Sequence, residues 1–344
     1  MVYVCARGDI YLHDRVAAVS NRIAAVTNGE PLQVMERDGR FLKVKTPKDQ
    51  TGWIEQSAVI DGSMYDQFAK LAEDNLHDPI IATATLDDEL YMHVAPGRTT
   101  QHFYLLPANT RVELLTRASV ARTPPPGSQV AAPSPQLSAN VQPVPGLPQP
   151  EAPVMEDWWL VRDAQGRTGW LIGSRIEVVA PDDIAQYAGD QRIVGAYVLT
   201  KVNDPESSFP DHEAPEYLTV LGPYQSGLPY DFDEVRVFTW SLRHHRYETA
   251  FRLHPIDGFL PVKTGFEQTP KGNVPMFSIQ IASNQNVTLD PATGVTHPVD
   301  PRTIRFEMLD TVVRRIGPDL APIPLLHEGE KKPQEEAKER RRRR

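Results

Sequence analysis

The feature that most constrains the fold of this chain is a short segment that occurs twice. The first copy consists of Phe41-Leu42-Lys43-Val44-Lys45 and, after a five-residue turn, Thr51-Gly52-Trp53-Ile54. Trp158-Trp159-Leu160-Val161-Arg162 and Thr168-Gly169-Trp170-Leu171 repeat both parts with the same spacing, 117 positions later. A repeat of this kind predicts one small structural unit present in two copies.

Upstream of these segments the two copies match at a shorter offset. Ile10-Tyr11-Leu12-His13 is matched by Leu90-Tyr91-Met92-His93, 80 positions later. The offset changes only once, between Arg117 and Trp158, so the second copy carries a 37-residue insert. Ten prolines lie within residues 118–157, which predicts a solvated, polyproline-rich loop.

Alternating apolar and polar residues predict the secondary structure of each unit. In Leu32–Val34 and Leu42–Val44 every second residue is apolar, a period typical of half-buried antiparallel strands. Asp38-Gly39 between these strands favours a tight hairpin. Behind the first unit, an apolar stripe that begins at Met64 predicts a short helix, for which Ser63 is the expected N-cap.

The repeated residues resemble the bacterial Src-homology-3-like domain. The resemblance rests on the aromatic-x-x-Val strand and the Thr-Gly-Trp-apolar segment, at Phe41–Val44 with Thr51–Ile54 and at Trp158–Val161 with Thr168–Leu171. It implies a small β-barrel of about 60 residues in each copy, covering about half of the chain. It also implies a role in binding cell-wall peptides or glycan in the bacterial envelope.

The chain is therefore predicted to be all-β: two small SH3-like barrels followed by an antiparallel β-sandwich or barrel, with short linking helices. Strand-like segments recur from about residue 193 onward and no long helical period interrupts them. The predicted divisions are a first barrel at 1–60, a linking helix at 61–79, a second barrel at 80–179 with its insert at 118–157, a short helix and linker at 180–192, a third domain at 193–317 and a disordered charged tail at 318–344.

Tyr11, Tyr91 and Trp158 are the candidate ligand-binding residues, because they lie near the opening loops and the insert and combine a flat face with a polar tip. An ordinary role as strand aromatics remains open for the two tyrosines. Gly52 with Trp53, and Gly169 with Trp170, are expected to be structural, with both indoles filling the barrel cores.

The sequence favours binding over catalysis. No nucleophile elbow, phosphate-binding glycine loop or metal-ligand spacing is present, so no cofactor and no metal are predicted. Asp231, Asp233 and Glu234 are close enough for acid–base work, but acidic loops are common in a chain of formal net charge −9. That charge also disfavours specific nucleic-acid binding.

We therefore expect a non-catalytic binding or scaffold protein of the bacterial cell envelope, whose partner is a cell-wall peptide, a glycan or a protein. Two alternatives stay open: a hydrolase whose third domain is targeted by the barrels, and an adaptor for a partner protein. No apolar stretch is long enough to span a membrane. An extracytoplasmic location is expected if an export signal preceded Met1. The oligomeric state is left open.

Overall fold

The computed structural model describes residues 1–5, 10–123, 153–270, 272–284 and 286–325. Within these ranges the chain is all-β with two short α-helices, as the sequence predicted. Most of the proline-rich insert and residues 326–344 of the charged tail lie outside the described residues.

The first unit is a sheet of seven strands: β1 (Val2–Val4), β2 (Ile10–His13), β3 (Arg22–Val26), β4 (Pro31–Asp38), β5 (Phe41–Lys45), β6 (Thr51–Glu55) and β7 (Val59–Asp61). A 3-10 turn at Gln56–Ala58 separates the last two. The strands are antiparallel in the order β3-β2-β6-β5-β4-β1-β7. Their inward residues form a small core of their own around Leu12, Leu32 and Val44.

The second unit repeats this arrangement: β8 (Ala82–Leu86), β9 (Leu90–His93), β10 (His102–Leu106), β11 (Arg111–Ala121), β12 (Met155–Arg162), β13 (Thr168–Ile172), a 3-10 turn (Gly173–Arg175) and β14 (Ile176–Val178). The strand order β10-β9-β13-β12-β11-β8-β14 is that of the first sheet, element for element. Both units have SH3-like folds, and they are called the first and second barrel below.

The hairpin of β11 and β12 is longer than its counterpart in the first barrel. Residues 118–121 and 155–157, predicted as the ends of a solvated loop, instead pair with each other, from Ala118 opposite Trp158 to Ala121 opposite Met155. The prediction was wrong for these residues, because Ala118 and Trp158 are buried in a cluster that the alternation of the short repeat does not reveal.

Two helices link the domains, α1 (Gly62–Asp74) and α2 (Asp182–Ala185). The N-cap of α1 is Asp61, whose carboxylate accepts a hydrogen bond from the Met64 N–H at 3.1 Å, and not the expected Ser63. Phe68 of α1 packs on the second barrel, with its ring 5.3 Å from that of Tyr104. No helix in the described ranges is both long enough and apolar enough to cross a bilayer.

The third domain consists of two facing four-stranded antiparallel sheets and a small hairpin. One sheet contains β15 (Gln191–Asn203), β16 (Glu213–Pro223), β17 (Glu234–Ser241) and β18 (Arg246–Leu253), with a 3-10 turn at Pro210–His212. The other contains β19 (Gly258–Thr269), β20 (Gly272–Ala282), β23 (Pro301–Leu309) and β24 (Val312–Ile316), and the hairpin is β21 (Val287–Leu289) with β22 (Thr296–Pro298). Phe251 and Phe306 meet between the sheets, with ring centroids 5.3 Å apart.

Candidate functional site

Each barrel has a surface groove at the same place in its fold. The first groove, of about 690 Å³, is lined by Ile10, Tyr11, His13, Arg15, Val16, Ala17, Ala18, Ser20, Arg22, Arg40, Phe41, Trp53, Ile54, Glu55 and Ala58. The second, of about 370 Å³, is lined by Leu90, Tyr91, His93, Arg98, His102, Trp158 and Ile172. Leu90, Tyr91, His93, His102, Trp158 and Ile172 are the repeat counterparts of Ile10, Tyr11, His13, Arg22, Phe41 and Glu55.

The same hydrogen bond closes the loop beside each groove. His13 Nδ1 lies 2.9 Å from the Ser20 hydroxyl, and at the matching positions His93 Nδ1 lies 2.9 Å from the Thr100 hydroxyl. This bond joins the end of β2 or β9 to the far end of its loop, so it limits how far the loop can open. The two histidines were visible in the repeat, but a shared role for them was not predicted.

Cations stacked on aromatic rings dominate the first groove. The Arg22 guanidinium carbon lies 4.2 Å from the centroid of the Tyr11 ring, and Arg40 lies 5.3 Å from that of Phe41. The Lys43 ammonium approaches the Trp53 ring at 5.8 Å. A groove with flat apolar walls and fixed positive charges suits an extended ligand that carries negative charge.

In the second groove the His102 imidazole stands at the position of Arg22, and Arg98, which also lines this groove, is paired with Glu156 at 2.8 Å. The His102 ring lies 4.6 Å from Tyr91 and 5.2 Å from His93, and His93 meets Trp158 edge to face at 5.1 Å. Burial, together with the nearby His102 imidazole, lowers the pKa of His93 to about 4. His93 is therefore neutral at physiological pH, which makes the wall that it forms with Trp158 uncharged.

Tyr11 and Tyr91 both line these grooves. The solvent exposure of Trp53 and of Trp158 differs from the prediction. Trp53 was expected in the core but is partly exposed and lines the first groove. Trp158 was expected to present a flat face to solvent, yet it is 2% exposed and only borders the second groove. Trp170, the counterpart of Trp53, is 5% exposed.

The difference arises because other parts of the chain cover one face of the second barrel. Trp158 and Trp170 share a buried cluster against which Leu71 of α1 and Val295 of the third domain pack. At the position of Lys43, next to Trp53, the second copy has the buried Leu160. The replacement of a lysine by a leucine at this matched position was the sequence signal that could have indicated the burial of Trp170. Gly52 and Gly169 are both buried, each against a closely approaching strand: β2 at Leu12 and β9 at Met92, respectively.

A buried ionic network fixes the second barrel to the third domain. The Arg117 side chain is 2% exposed and donates to Asp231 Oδ1 at 2.9 Å and to the Leu228 and Tyr230 carbonyls at 2.8 and 2.6 Å. It also pairs with Asp157 at 3.2 Å.

Several further contacts hold Asp157 as an anion. Its carboxylate accepts hydrogen bonds from the Ser119 hydroxyl, from the Gly227 N–H at 3.0 Å and from Arg192 at 3.1 Å. Burial on its own would raise the pKa of Asp157, but the Arg117 charge and these hydrogen bonds outweigh it and lower that pKa below its usual 3.8.

The neighbouring carboxylates of the third domain are also held by arginines. Glu234 is fully buried and accepts hydrogen bonds from Arg236 and from Arg252, the latter at 2.6 and 2.9 Å. Asp231 accepts from Arg117 and from the Leu260 N–H at 2.9 Å. Carboxylates bound in this way stabilise structure and are poorly suited to proton transfer.

Comparison with known families agrees with the fold of the first barrel. Residues 15–60 match the family described as bacterial SH3 domain, which is a binding module. The match covers the groove-lining residues from Arg15 to Ala58, including Trp53, but not those of β2, which are Ile10, Tyr11 and His13. No curated protein matches the chain.

Proposed function

We propose that this chain is a non-catalytic binding and scaffold protein of the bacterial cell envelope, in which residues 80–179 are a second bacterial SH3 domain. The observation that carries the proposal is the pair of grooves at matched positions, each lined by a Tyr, a His and a second aromatic residue, Phe41 or Trp158, from equivalent strands. The ligand class is a cell-wall peptide or glycan, and the first groove is the larger site.

The scaffold part of the proposal rests on how the domains are joined. The second barrel and the third domain share one continuous buried core, whereas the core of the first barrel is separate. Because the Arg117 network lies across the join, the second groove is held at a fixed position on the third domain. The third domain is proposed to be a rigid support, since two of the three carboxylates considered for catalysis, Asp231 and Glu234, are engaged by arginines, and Asp233 contacts His254 and Gln191.

Co-sedimentation of the full chain with purified peptidoglycan tests the binding role. We expect the unsubstituted chain to pellet with the wall material, and Trp53→Ala or Tyr11→Ala to weaken this about tenfold or more, since buried aromatic contacts often dominate an interface. Phe266→Ala is the matched control, because Phe266 is a 59% exposed aromatic residue of the third domain outside both grooves.

Two results would count against the proposal. If the full chain stays in the supernatant, wall binding is wrong. If it releases soluble glycan or peptide fragments from the wall, the non-catalytic assignment is wrong and the hydrolase alternative gains support. An extracytoplasmic location is part of the proposal and is tested separately, by fractionating cells that produce the chain.

A further inference from the structure

The two grooves differ in charge at positions that the repeat makes equivalent. Arg22 of the first groove corresponds to His102 of the second, and Glu55 corresponds to Ile172. Asp157, which ends the insert and precedes Trp158 as Arg40 precedes Phe41, is turned to the interdomain network and does not line the second groove. Arg98 also places a positive charge in the second groove, but Glu156 pairs with it at 2.8 Å, so of the two grooves only the first is lined by an arginine without an ion pair among the described residues.

Of the three arginines that line the first groove, two have exposed ion pairs with neighbouring carboxylates and one does not. Arg15 lies 3.7 Å from the Asp14 carboxylate, and Arg40 lies 3.8 Å from Glu55. Arg22 forms no ion pair with any residue in the described ranges and is held by its stacking on Tyr11. Stacking fixes the plane of the guanidinium and leaves its edge N–H groups free to donate.

We propose that the first groove recognises a carboxylate group of an extended peptide through Arg22, and that the second groove does not. A planar carboxylate matches the fork of a guanidinium and forms two parallel hydrogen bonds with it. A single negative charge balances the one unpaired arginine, whereas a doubly charged phosphate would face Glu55 with an uncompensated charge. Tyr11, Phe41 and Trp53 supply flat apolar walls for the adjoining peptide. The inference rests on the proposed function only in taking the first groove as a ligand site.

Titration of the ¹⁵N-labelled full chain with two small peptides tests this directly. The probes are N-acetyl-trialanine with a free carboxylate and the same peptide as a C-terminal amide. The chain has five tryptophans, so the indole N–H signals are few and can be assigned by substitution. We expect the free acid to shift the Trp53 indole signal in a saturable way, with the amide binding about tenfold more weakly or worse, since hydrogen bonds to charged groups are the stronger ones.

Three variants separate the role of Arg22 from general charge. Arg22→Gln should abolish the preference for the acid over the amide, and Arg22→Lys should retain part of it, because the charge remains while the fork and its stacking are lost. Arg37→Gln is the control: Arg37 is an exposed arginine of the same barrel outside the groove and should leave both affinities unchanged.

The outcomes distinguish this inference from the proposed function. Equal binding of acid and amide, or an unchanged preference in Arg22→Gln, would overturn the carboxylate inference even if the chain pellets with peptidoglycan. A preference for the acid in a chain that does not pellet would support the inference and remove the wall as its source. Competition by inorganic phosphate at lower concentration than acetate would show that the groove prefers phosphate, and would also overturn it.

Discussion

Replacement of Arg117 by methionine should be among the most destabilising single changes in this chain. Methionine keeps much of the side-chain volume but removes every donor of a side chain that is 2% exposed. Asp231 would lose its ion pair, and the Leu228 and Tyr230 carbonyls would lose their hydrogen bonds. Breaking a buried pair by removing one partner costs roughly 3–5 kcal/mol. Arg192 still faces Asp157, so we expect about 3–4 kcal/mol.

Urea unfolding followed by tryptophan fluorescence is the appropriate assay. Three of the five tryptophans, Trp158, Trp159 and Trp170, are buried in the second barrel and report its unfolding. With a slope of about 3 kcal/mol per molar urea, the midpoint should fall by roughly 1 M. The first barrel has a separate core. The substitution Arg117→Met should therefore leave the unfolding transition of the first barrel, monitored at Trp53, nearly unchanged.

The repeat supplies the control for this experiment. Arg37 occupies the matching position in the first barrel, where it is exposed and has no ion pair among the described residues. Arg37→Met should therefore change the free energy of unfolding by no more than about 0.5 kcal/mol. The reasoning is refuted if the two methionine variants are equally stable, or if Arg117→Met lies within that margin of the unsubstituted chain.

A second substitution tests whether buried charge is the cause. Adding Asp231→Asn to Arg117→Met removes one uncompensated carboxylate while the amide oxygen can still accept from the Leu260 N–H. We expect part of the lost stability to return. If the double variant is instead less stable by the sum of the two single changes, the cost of Arg117→Met comes from lost packing and not from the unpaired charge.

Two further predictions concern the cores. An alanine Cβ at Gly52 would lie 2.7 Å from the Leu12 Cβ, and one at Gly169 would lie 2.7 Å from the Met92 Cβ, so each Gly→Ala change should cost about 1–3 kcal/mol by urea unfolding; a neutral result at either glycine would contradict the close approach. Burial raises the pKa of Glu216 to about 7, so its contribution to stability is complete below pH 4.5 and is lost as the pH rises through 7. Glu216→Gln should reduce the loss of stability between pH 5 and pH 8 by on the order of 2 kcal/mol, allowing for solvent screening; an equal loss in both proteins would contradict this.

The strands of both barrels were predictable because their signals are local. Alternation in Phe41–Lys45 and a glycine at position 52 suffice for the pairing of β5 with β6, and the repeat carries the same ladder to β12 and β13. The all-β character of the third domain followed from the same alternation. These features depend on neighbours in sequence, which is the information that a pattern contains.

The exposure of the tryptophans was not predictable in this way. Trp53 and Trp170 each follow the repeated glycine, on the equivalent strands β6 and β13. Of the two indoles, Trp170 belongs to a buried cluster and Trp53 is partly exposed. Leu71 and Val295, which pack against the buried cluster that contains Trp170, lie about 100 residues before and 125 residues after it in sequence. Contacts over such distances leave no periodic trace. The nearest signal was the change from Lys43 to its counterpart Leu160, a charge lost beside the second indole.

The surroundings of Arg37 and Arg40 differ from those of Arg117 and Asp157 in the second barrel. In the first barrel both arginines are exposed, and Arg40 borders the groove. In the second barrel Asp157, the last residue of the insert and the one that precedes Trp158 as Arg40 precedes Phe41, pairs with Arg117, the counterpart of Arg37. The second barrel thus has a buried ion pair at its join with the third domain where the first barrel has two exposed arginines. Arg40→Asp in the first barrel should not create another anchor, because Arg37 and residue 40 are exposed there and an exposed ion pair contributes about 0–1 kcal/mol. Substitutions in the first barrel therefore test the proposed binding role, and substitutions at Arg117 in the second barrel test the interdomain anchor.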